Sequence, residues 1–333
     1  MLYPHCNPFR QVVDLSGFWD LRFDPEGQGD QSGWAEGFAG GRPVAVPASW
    51  NDQFEDGRDY LGPTWCQTRF DLPWGWDVAR QRIVLRFGSV NYMAAVWLNG
   101  VRLGQHEGGH LPFEFDVTPH VKREGNLIVA RVEGELAPDR VPPGKVPPDP
   151  QHMFVDQREN WPPSSFDFFP FCGIQRPVLL CALPRAAIAD TSVTTDIGGK
   201  NGLVRVQVTQ SEGTSAIARV AVRGTRVTAE AAFSGAAAEV VLTVPDATVW
   251  SPGSPHLYDL AVELASGDKI LDRYILPIGI RTIKVEGDTL VLNGKPIYLR
   301  GFGRHEDFPV TGRGLLPAVI VKDYAMMKWI GAN

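Results

Sequence analysis

Short runs of alternating apolar and β-branched residues recur from the N-terminus to about residue 280, and helix signals are scarce before the last fifty residues. Clear examples are residues 82–87, 94–98 and 127–132, which are separated by Gly, Pro or Asn-Gly turns. Successive side chains of a strand point to opposite faces, so this spacing is typical of strands with one buried face. Asn99-Gly100 accepts the positive φ angles of a tight hairpin turn. The pattern predicts a mostly β protein.

Changes in composition along the chain predict three regions. Residues 1–184 form an all-β domain, in which the proline-rich stretch 141–150 is expected to be a long ordered loop because proline lacks an amide donor. From residue 185 Ala, Val, Thr and Gly dominate, and four strands are expected near residues 203–209, 216–223, 237–244 and 257–263. That spacing indicates a small β-sandwich over residues 185–282.

Residues 283–333 have a different character. They contain a hairpin around 292–295, an apolar strand at 297–299, a glycine-rich segment, and helical spacing over 316–330 with Gly331 as its stop. Strand, loop and helix make one β/α unit, and a parallel strand needs neighbours on both sides and helices over its faces. We therefore expect the chain to be the front portion of a longer protein.

Composition excludes several classes of function. The 32 basic and 38 acidic residues give a formal net charge of −6 with no basic stripe, so no nucleic acid partner is expected. No apolar run is long enough to span a membrane, and the first residues lack a leader pattern, which predicts a cytoplasmic protein without membrane association. Four scattered cysteines predict buried thiols and no metal site, and no cofactor is expected.

Four motifs carry a resemblance to a known family. They are DLSGFWD at 14–20, VWLNG at 96–100 followed by HEGGHLPFE at 106–114, DFFPFCGIQR at 167–176, and GFGRHED at 301–307. In this order and spacing the chain resembles glycoside hydrolase family 2, and within it the β-glucuronidases. The β-galactosidase and β-mannosidase members are the alternative.

The resemblance implies a fold class and a reaction. It implies a jelly-roll sugar-binding β-sandwich at 1–184, an immunoglobulin-like β-sandwich at 185–282, and the first β/α unit of an incomplete TIM barrel at 283–333. It also implies a retaining, two-carboxylate hydrolysis of β-D-glucuronides by the parent enzyme, a carbohydrate substrate as partner, and homo-oligomers. The family's two catalytic glutamates and its uronate-reading residues lie on later barrel strands. No catalytic residue is therefore expected in this chain, which is predicted to be inactive alone.

Three residues are candidates for substrate binding by this resemblance: Asp167, His305 and Glu306. A carboxylate at 167 could accept hydrogen bonds from two neighbouring sugar hydroxyls, and His305 and Glu306 follow the first barrel strand, where barrel active sites are built. The alternative for Asp167 is an ordinary turn cap. The alternative for residues 304–307 is a salt-bridged corner.

Two other features favour structural roles. His106 and His110 flank two glycines, which indicates a turn or bulge. The ten tryptophans, including Trp50, Trp65, Trp97 and Trp161, could offer stacking faces to sugar rings, but most of them are expected in the core. Besides the enzyme fragment, two functions stay open: a carbohydrate-binding module, which needs exposed tryptophans, and a scaffold that associates through apolar surface.

Overall fold

The computed structural model describes residues 1–135, 137–141, 168–211 and 215–333. Asp167, Trp161 and most of the proline-rich stretch lie outside the described residues. The chain divides into two compact units. The first unit comprises residues 12–182 with 304–318, and the second comprises 1–11, 183–303 and 319–333.

The first unit contains two large antiparallel sheets. Their orders are β1-β12-β5-β9 and β3-β2-β4-β10-β7-β8, and a small sheet pairs β11 with β6. The strands are β1 (Gln11–Asp14), β2 (Gly17–Phe23), β3 (Arg42–Val46), β4 (Thr64–Phe70), β5 (Gln81–Phe87), β6 (Val90–Asn91), β7 (Met93–Leu98), β8 (Val101–Glu107), β9 (Phe113–Asp116), β10 (Asn126–Glu133), β11 (Gly173–Ile174) and β12 (Val178–Pro184). Short 3-10 turns lie at Trp34–Glu36, Trp50–Asp52 and Glu55–Gly57.

Alternation along these strands builds the core of the first unit. The predicted runs at 82–87, 94–98 and 127–132 fall in β5, β7 and β10, and their apolar side chains are buried. Asn99 and Gly100 form the turn between β7 and β8 with φ of 53° and 82°, as the Asn-Gly pattern predicts. The mostly β prediction is confirmed.

The second unit contains a β-sandwich. One sheet has the order β13-β14-β17 and the other β16-β15-β18-β19. The strands are β13 (Ile188–Gly198), β14 (Asn201–Gln210), β15 (Ile217–Val222), β16 (Thr228–Ala232), β17 (Ala237–Val244), β18 (Tyr258–Ser266) and β19 (Lys269–Ile278). The four strands expected from the sequence are confirmed. Every second residue of β14 and β17 is buried in one apolar core, which is why the two sheets pack face to face.

The last fifty residues form a three-stranded sheet and one helix: β20 (Ile283–Glu286), β21 (Thr289–Leu292), β22 (Lys295–Pro296) and α1 (Pro317–Trp329). The hairpin and the helix are confirmed. The strand predicted at 297–299 is wrong: β22 ends at Pro296, and although the Ile297 amide still donates to the Leu290 carbonyl of β21 at 2.9 Å, no described strand pairs with residues 298–299. Instead the Asn333 side chain bonds the Tyr298 carbonyl and the Arg300 amide.

Three of the four cysteines are buried as expected, and so are most of the described tryptophans. Cys66, Cys172 and Cys181 are buried, but Cys6 is exposed, because it precedes β1 in the N-terminal segment. Trp50, Trp65 and Trp97 are core residues, as predicted. No helix of the described residues is long and apolar enough to cross a membrane.

Candidate functional site

A cavity of about 380 Å³ lies in the first unit. Its walls come from the β5–β6 turn, the turn after β8, the segment before and after β11, and the segment 304–313. The lining side chains are mainly polar: Ser89, His110, Phe168, Gln175, Arg176, Arg304, His305, Glu306 and Arg313. The cavity therefore brings together two of the three residues predicted from the sequence, His305 and Glu306, while Asp167 lies outside the described residues.

Backbone hydrogen bonds place the segment 304–315 at this cavity. The Ser49 amide donates to the Thr311 carbonyl at 2.9 Å, and the Leu315 amide donates to the Gln175 carbonyl at 3.3 Å. Phe308 and Gly312 exchange both amide-to-carbonyl bonds, at 2.8 and 3.0 Å, which closes the segment into a tight loop. The side chain of Phe308 is buried. His305 is thus carried by a loop that is fixed on the first unit.

His305 meets an aromatic neighbour on the cavity wall. Its ring and that of Phe168 lie edge to face, with centroids 6.3 Å apart and planes at 87°. The imidazole offers one donor and one acceptor in its neutral form, which suits a hydroxyl group of a ligand.

His110 approaches the cavity from the turn that follows β8. The predicted turn is confirmed, and the Ser89 hydroxyl holds it by donating to the Gly109 carbonyl at 2.6 Å. Burial lowers the pKa of His110, and the charges of Arg313 and Arg176 lower it further. His110 is therefore neutral at pH 7 and adds its imidazole to the cavity wall.

Glu306 is held between two guanidinium groups. Its Oε2 pairs with Arg176 and its Oε1 lies 3.1 Å from Arg304 Nη1. Arg313 Nε lies 3.7 Å from Asp307 Oδ1. The salt-bridged corner expected as the alternative for residues 304–307 is present, and it extends to Arg176 from the other side of the cavity.

The cavity has the chemistry of a binding site for a hydroxylated ligand. Guanidinium, imidazole, amide and hydroxyl groups line it, and Glu306 is the one carboxylate among its lining side chains. Retaining glycoside hydrolysis needs two carboxyl groups about 5 to 5.5 Å apart, which the lining described here does not provide. Within the described part of the chain no group of three or more His, Cys, Asp or Glu side chains is arranged to hold a metal ion.

Three family models match consecutive parts of the sequence. The sugar binding domain of glycosyl hydrolases family 2 matches residues 12–184, the family 2 domain matches 186–281, and the family 2 TIM barrel domain matches 283–333. The chain belongs to glycosyl hydrolase family 2.

Relatives in family 2 cover the whole chain. A Paenibacillus borealis protein named beta-glucuronidase is 36% identical, and the human protein of that name is 34% identical; this chain covers 56% and 54% of their lengths. The crystal structure of Ruminococcus gnavus beta-glucuronidase in complex with D-glucuronic acid has a TM-score of 0.89 at 34% identity, and this chain covers 56% of it. The chain thus spans about half the length of the relatives it matches.

Two residues of the cavity, His110 and Arg176, are not among the site residues predicted from the sequence. His110 is predicted from the sequence to lie in a turn, and Arg176 has no predicted role. Both lie inside motifs that carry the resemblance, at 106–114 and 167–176. Their positions in those motifs were the available signal. What the sequence alone could not give is that both side chains reach the same cavity as His305.

Proposed function

We propose that this chain is the sugar-binding part of a β-glucuronidase whose parent protein hydrolyses β-D-glucuronides with retention of configuration. The observation that carries the proposal is the position of His305, on the loop that opens the family's barrel domain, in a polar cavity of the sugar-binding domain. Relatives named beta-glucuronidase, one of them crystallised with D-glucuronic acid, support the glucuronide as substrate.

In this proposal the chain binds the sugar and other residues carry out the chemistry. Asp167 and His305 contact sugar hydroxyls, and Glu306, the residue after His305, is the third candidate for sugar binding by resemblance. By the resemblance, the family's two catalytic glutamates belong to later barrel strands and correspond to no residue of this chain. Acid–base catalysis is typically worth about 10² to 10⁴ in rate, and the covalent step would be lost with it, so the 333-residue chain alone is expected to be inactive.

A titration followed by NMR tests the binding half of the proposal. We expect the His305 imidazole signals of the isotope-labelled chain to shift with sodium D-glucuronate and to shift less with D-galactose or D-mannose. The H305Q variant assigns these signals and should lose the response, whereas H256Q, at an exposed histidine of the second unit, should keep it. An equal response to galactose would favour the β-galactosidase alternative.

An activity assay tests the catalytic half of the proposal. The chain alone should release no product from a chromogenic β-glucuronide above the buffer rate, and a longer protein that joins it to a complete family 2 barrel should do so in preference to a β-galactoside. If the chain alone released product and H305Q abolished that release, the proposal that the chain binds the sugar without catalysing its hydrolysis would be contradicted.

A second proposal concerns association. Helix α1 has no buried residue, and large apolar side chains around it and β20 are exposed: Ile283, Val285, Tyr298, Leu299, Phe302, Val321, Tyr324, Met326, Trp329 and Ile330. Apolar surface of this extent favours association, so we propose homo-oligomers of the chain. Light scattering after size exclusion should show a mass above 36.6 kDa, which V321K/W329K should reduce to the monomer value. A monomeric wild-type chain would contradict this.

A carbohydrate-binding module is less well supported. Trp74 is an exposed tryptophan of the first unit, 94% accessible, but Trp19, Trp50, Trp65, Trp76 and Trp97 are core residues. Among the described tryptophans of the first unit, this single exposed indole does not make the aromatic face that such a module uses. A cytoplasmic location stays a prediction from the sequence.

A further inference from the structure

Arg176 contacts both ends of the loop that carries His305. At the start of the loop its Nη2 pairs with the Glu306 carboxylate, and near the end its Nη1 donates to the Arg313 carbonyl at 2.8 Å. Between these two contacts lie the buried Phe308 and the tight turn closed by Gly312. One guanidinium therefore bridges a chain segment of eight residues.

The position of Arg176 is itself fixed. It lies between β11 and β12, and the Gly88 amide donates to the neighbouring Pro177 carbonyl at 3.0 Å. A Cβ at Gly88 would lie 2.6 Å from the Arg176 Cβ, so the backbones approach closely at this point. The Arg176 side chain is only 27% exposed. Because the guanidinium is planar and rigid, the fixed backbone at Arg176 sets the direction of its hydrogen bonds to Glu306 and to the Arg313 carbonyl.

Glu306 is already engaged by two guanidinium groups. Arg176 engages Oε2 and Arg304 engages Oε1, so each carboxylate oxygen already accepts from a guanidinium. Charge-assisted hydrogen bonds of this kind are about twice as strong as neutral ones. A sugar hydroxyl that displaced one of them would exchange a stronger bond for a weaker one. His305, the preceding residue, is not committed to this ion-pair network.

We infer that Arg176 is a positioning residue, which holds Glu306 and the Arg313 carbonyl and thereby fixes His305 at the cavity. The role of His305 rests on the function proposed above, but the positioning itself does not. Glu306 is then the anchor of the loop, and its assignment to sugar binding stays a prediction by resemblance.

Four variants of the full chain test the inference. R176Q removes the charge and keeps polarity, R176K keeps the charge without the two-point fork, and E306Q removes the anchor. The double variant R176E/E306R restores the ion pair in reverse. R205Q is the matched control, because Arg205 pairs with Glu239 at 2.5 Å on the exposed surface of the second unit.

Two measurements are made on each variant. Hydrogen exchange of the Gly312 and Leu315 amides reports the docking of the loop, and the His305 imidazole signals report its position. We expect R176Q and E306Q to speed the exchange by roughly ten-fold, which is about 1.4 kcal/mol, and to move the His305 signals. R176K should have an intermediate effect, R176E/E306R should recover part of the loss, and R205Q should behave as wild type.

The outcomes are distinguishable. Unchanged exchange and unchanged His305 signals in R176Q would overturn the inference. It would also be overturned if R176Q lost signals throughout the first unit while E306Q left the loop unaffected. If D-glucuronate fails to move the His305 signals of the wild-type chain, the proposed function fails. The exchange rates and the ligand-free signals of R176Q and E306Q still decide the positioning role in that case.

Discussion

Arg10 and Asp272 form a two-point ion pair in the second unit, with Nε to Oδ1 at 3.0 Å and Nη2 to Oδ2 at 2.5 Å. Both side chains are buried, at 6% and 0% exposure. Asp272 also accepts from the Ile188 amide at 2.8 Å, and Arg10 donates to the Ile188 carbonyl at 2.6 Å. The N-terminal segment is thus attached to the first strand of the sandwich and to β19.

Breaking this pair should destabilise the second unit. D272N leaves the Arg10 guanidinium buried without its counter-charge, and such a loss costs about 3–5 kcal/mol. Urea unfolding should show it as a lower midpoint for the sandwich transition. D259N is the control, because Asp259 pairs with Arg223 at 3.5 Å with both side chains more than half exposed, and an exposed pair contributes about 0–1 kcal/mol. Equal midpoints for the two variants would contradict this prediction.

Asp24 makes the first unit sensitive to acid. Its carboxylate accepts from the Gln28 amide at 2.7 Å, the Gly29 amide at 2.9 Å and the Trp65 indole at 3.0 Å. Burial by itself raises the pKa of Asp24, but these hydrogen bonds and the charge of Arg131 together outweigh burial and lower it. The folded protein therefore binds a proton at Asp24 less readily than the unfolded chain does.

The sign of the pH effect follows from this lowered pKa. The stabilisation that ionised Asp24 provides is complete above the pKa of an aspartate in the unfolded chain, near 4. It is lost as the pH falls toward the lower pKa of Asp24 in the folded protein. We expect the midpoint of urea unfolding of the first unit to fall as the pH is lowered through the acid window below about 4. D24N should be less stable at pH 7 and should show a flatter dependence in that window, whereas D59N, at an exposed aspartate, should keep the wild-type slope.

The elements that sequence analysis predicted well depend on local patterns. Alternation fixed which residues of β5, β7 and β10 face the core, and Asn99-Gly100 fixed the turn between β7 and β8. Helix α1 follows from its spacing and from Gly331. Each of these patterns lies within a few residues of chain, so the sequence shows it directly.

What sequence analysis missed depends on contacts between distant residues. Arg176 and Glu306 are 130 positions apart, and no periodicity connects them. The strand predicted at 297–299 had the right composition, but a strand exists only where a neighbour takes its hydrogen bonds. Residue type predicts that Cys6 is buried, but Cys6 is exposed because it lies in the N-terminal segment. Asp167 remains a prediction by resemblance.

The cysteines should differ sharply in reactivity. Cys6 is exposed, whereas burial raises the pKa of the Cys66 thiol to about 12 and that of Cys172 further still. The thiolate is the reactive form, so buried thiols with raised pKa values react slowly. We expect a thiol reagent at pH 8 to modify Cys6 in the folded chain and the other three only after unfolding in urea. Rapid modification of a folded C6S variant would contradict the burial of the other thiols.

Gly312 is the position where one methyl group should disturb the candidate site most. Its φ of +56° suits glycine, and a Cβ there would lie 2.6 Å from the Phe171 ring and 2.7 Å from the Ser49 Cβ. Both the backbone and the packing therefore oppose a side chain. We expect G312A to cost about 2–5 kcal/mol in the first unit, as the sum of backbone strain and overpacking, and to weaken the response of His305 to D-glucuronate.

Gly40 separates these two effects. Its φ of +73° is also left-handed, but a Cβ there would meet nothing within 4 Å. G40A should therefore cost only the backbone term of about 1–2 kcal/mol and leave the His305 signals unchanged. Thermal unfolding and the NMR titration of both variants check this. If G40A and G312A lose the same stability and both keep the His305 response, the close packing of the loop against Ser49 and Phe171 does not hold the site.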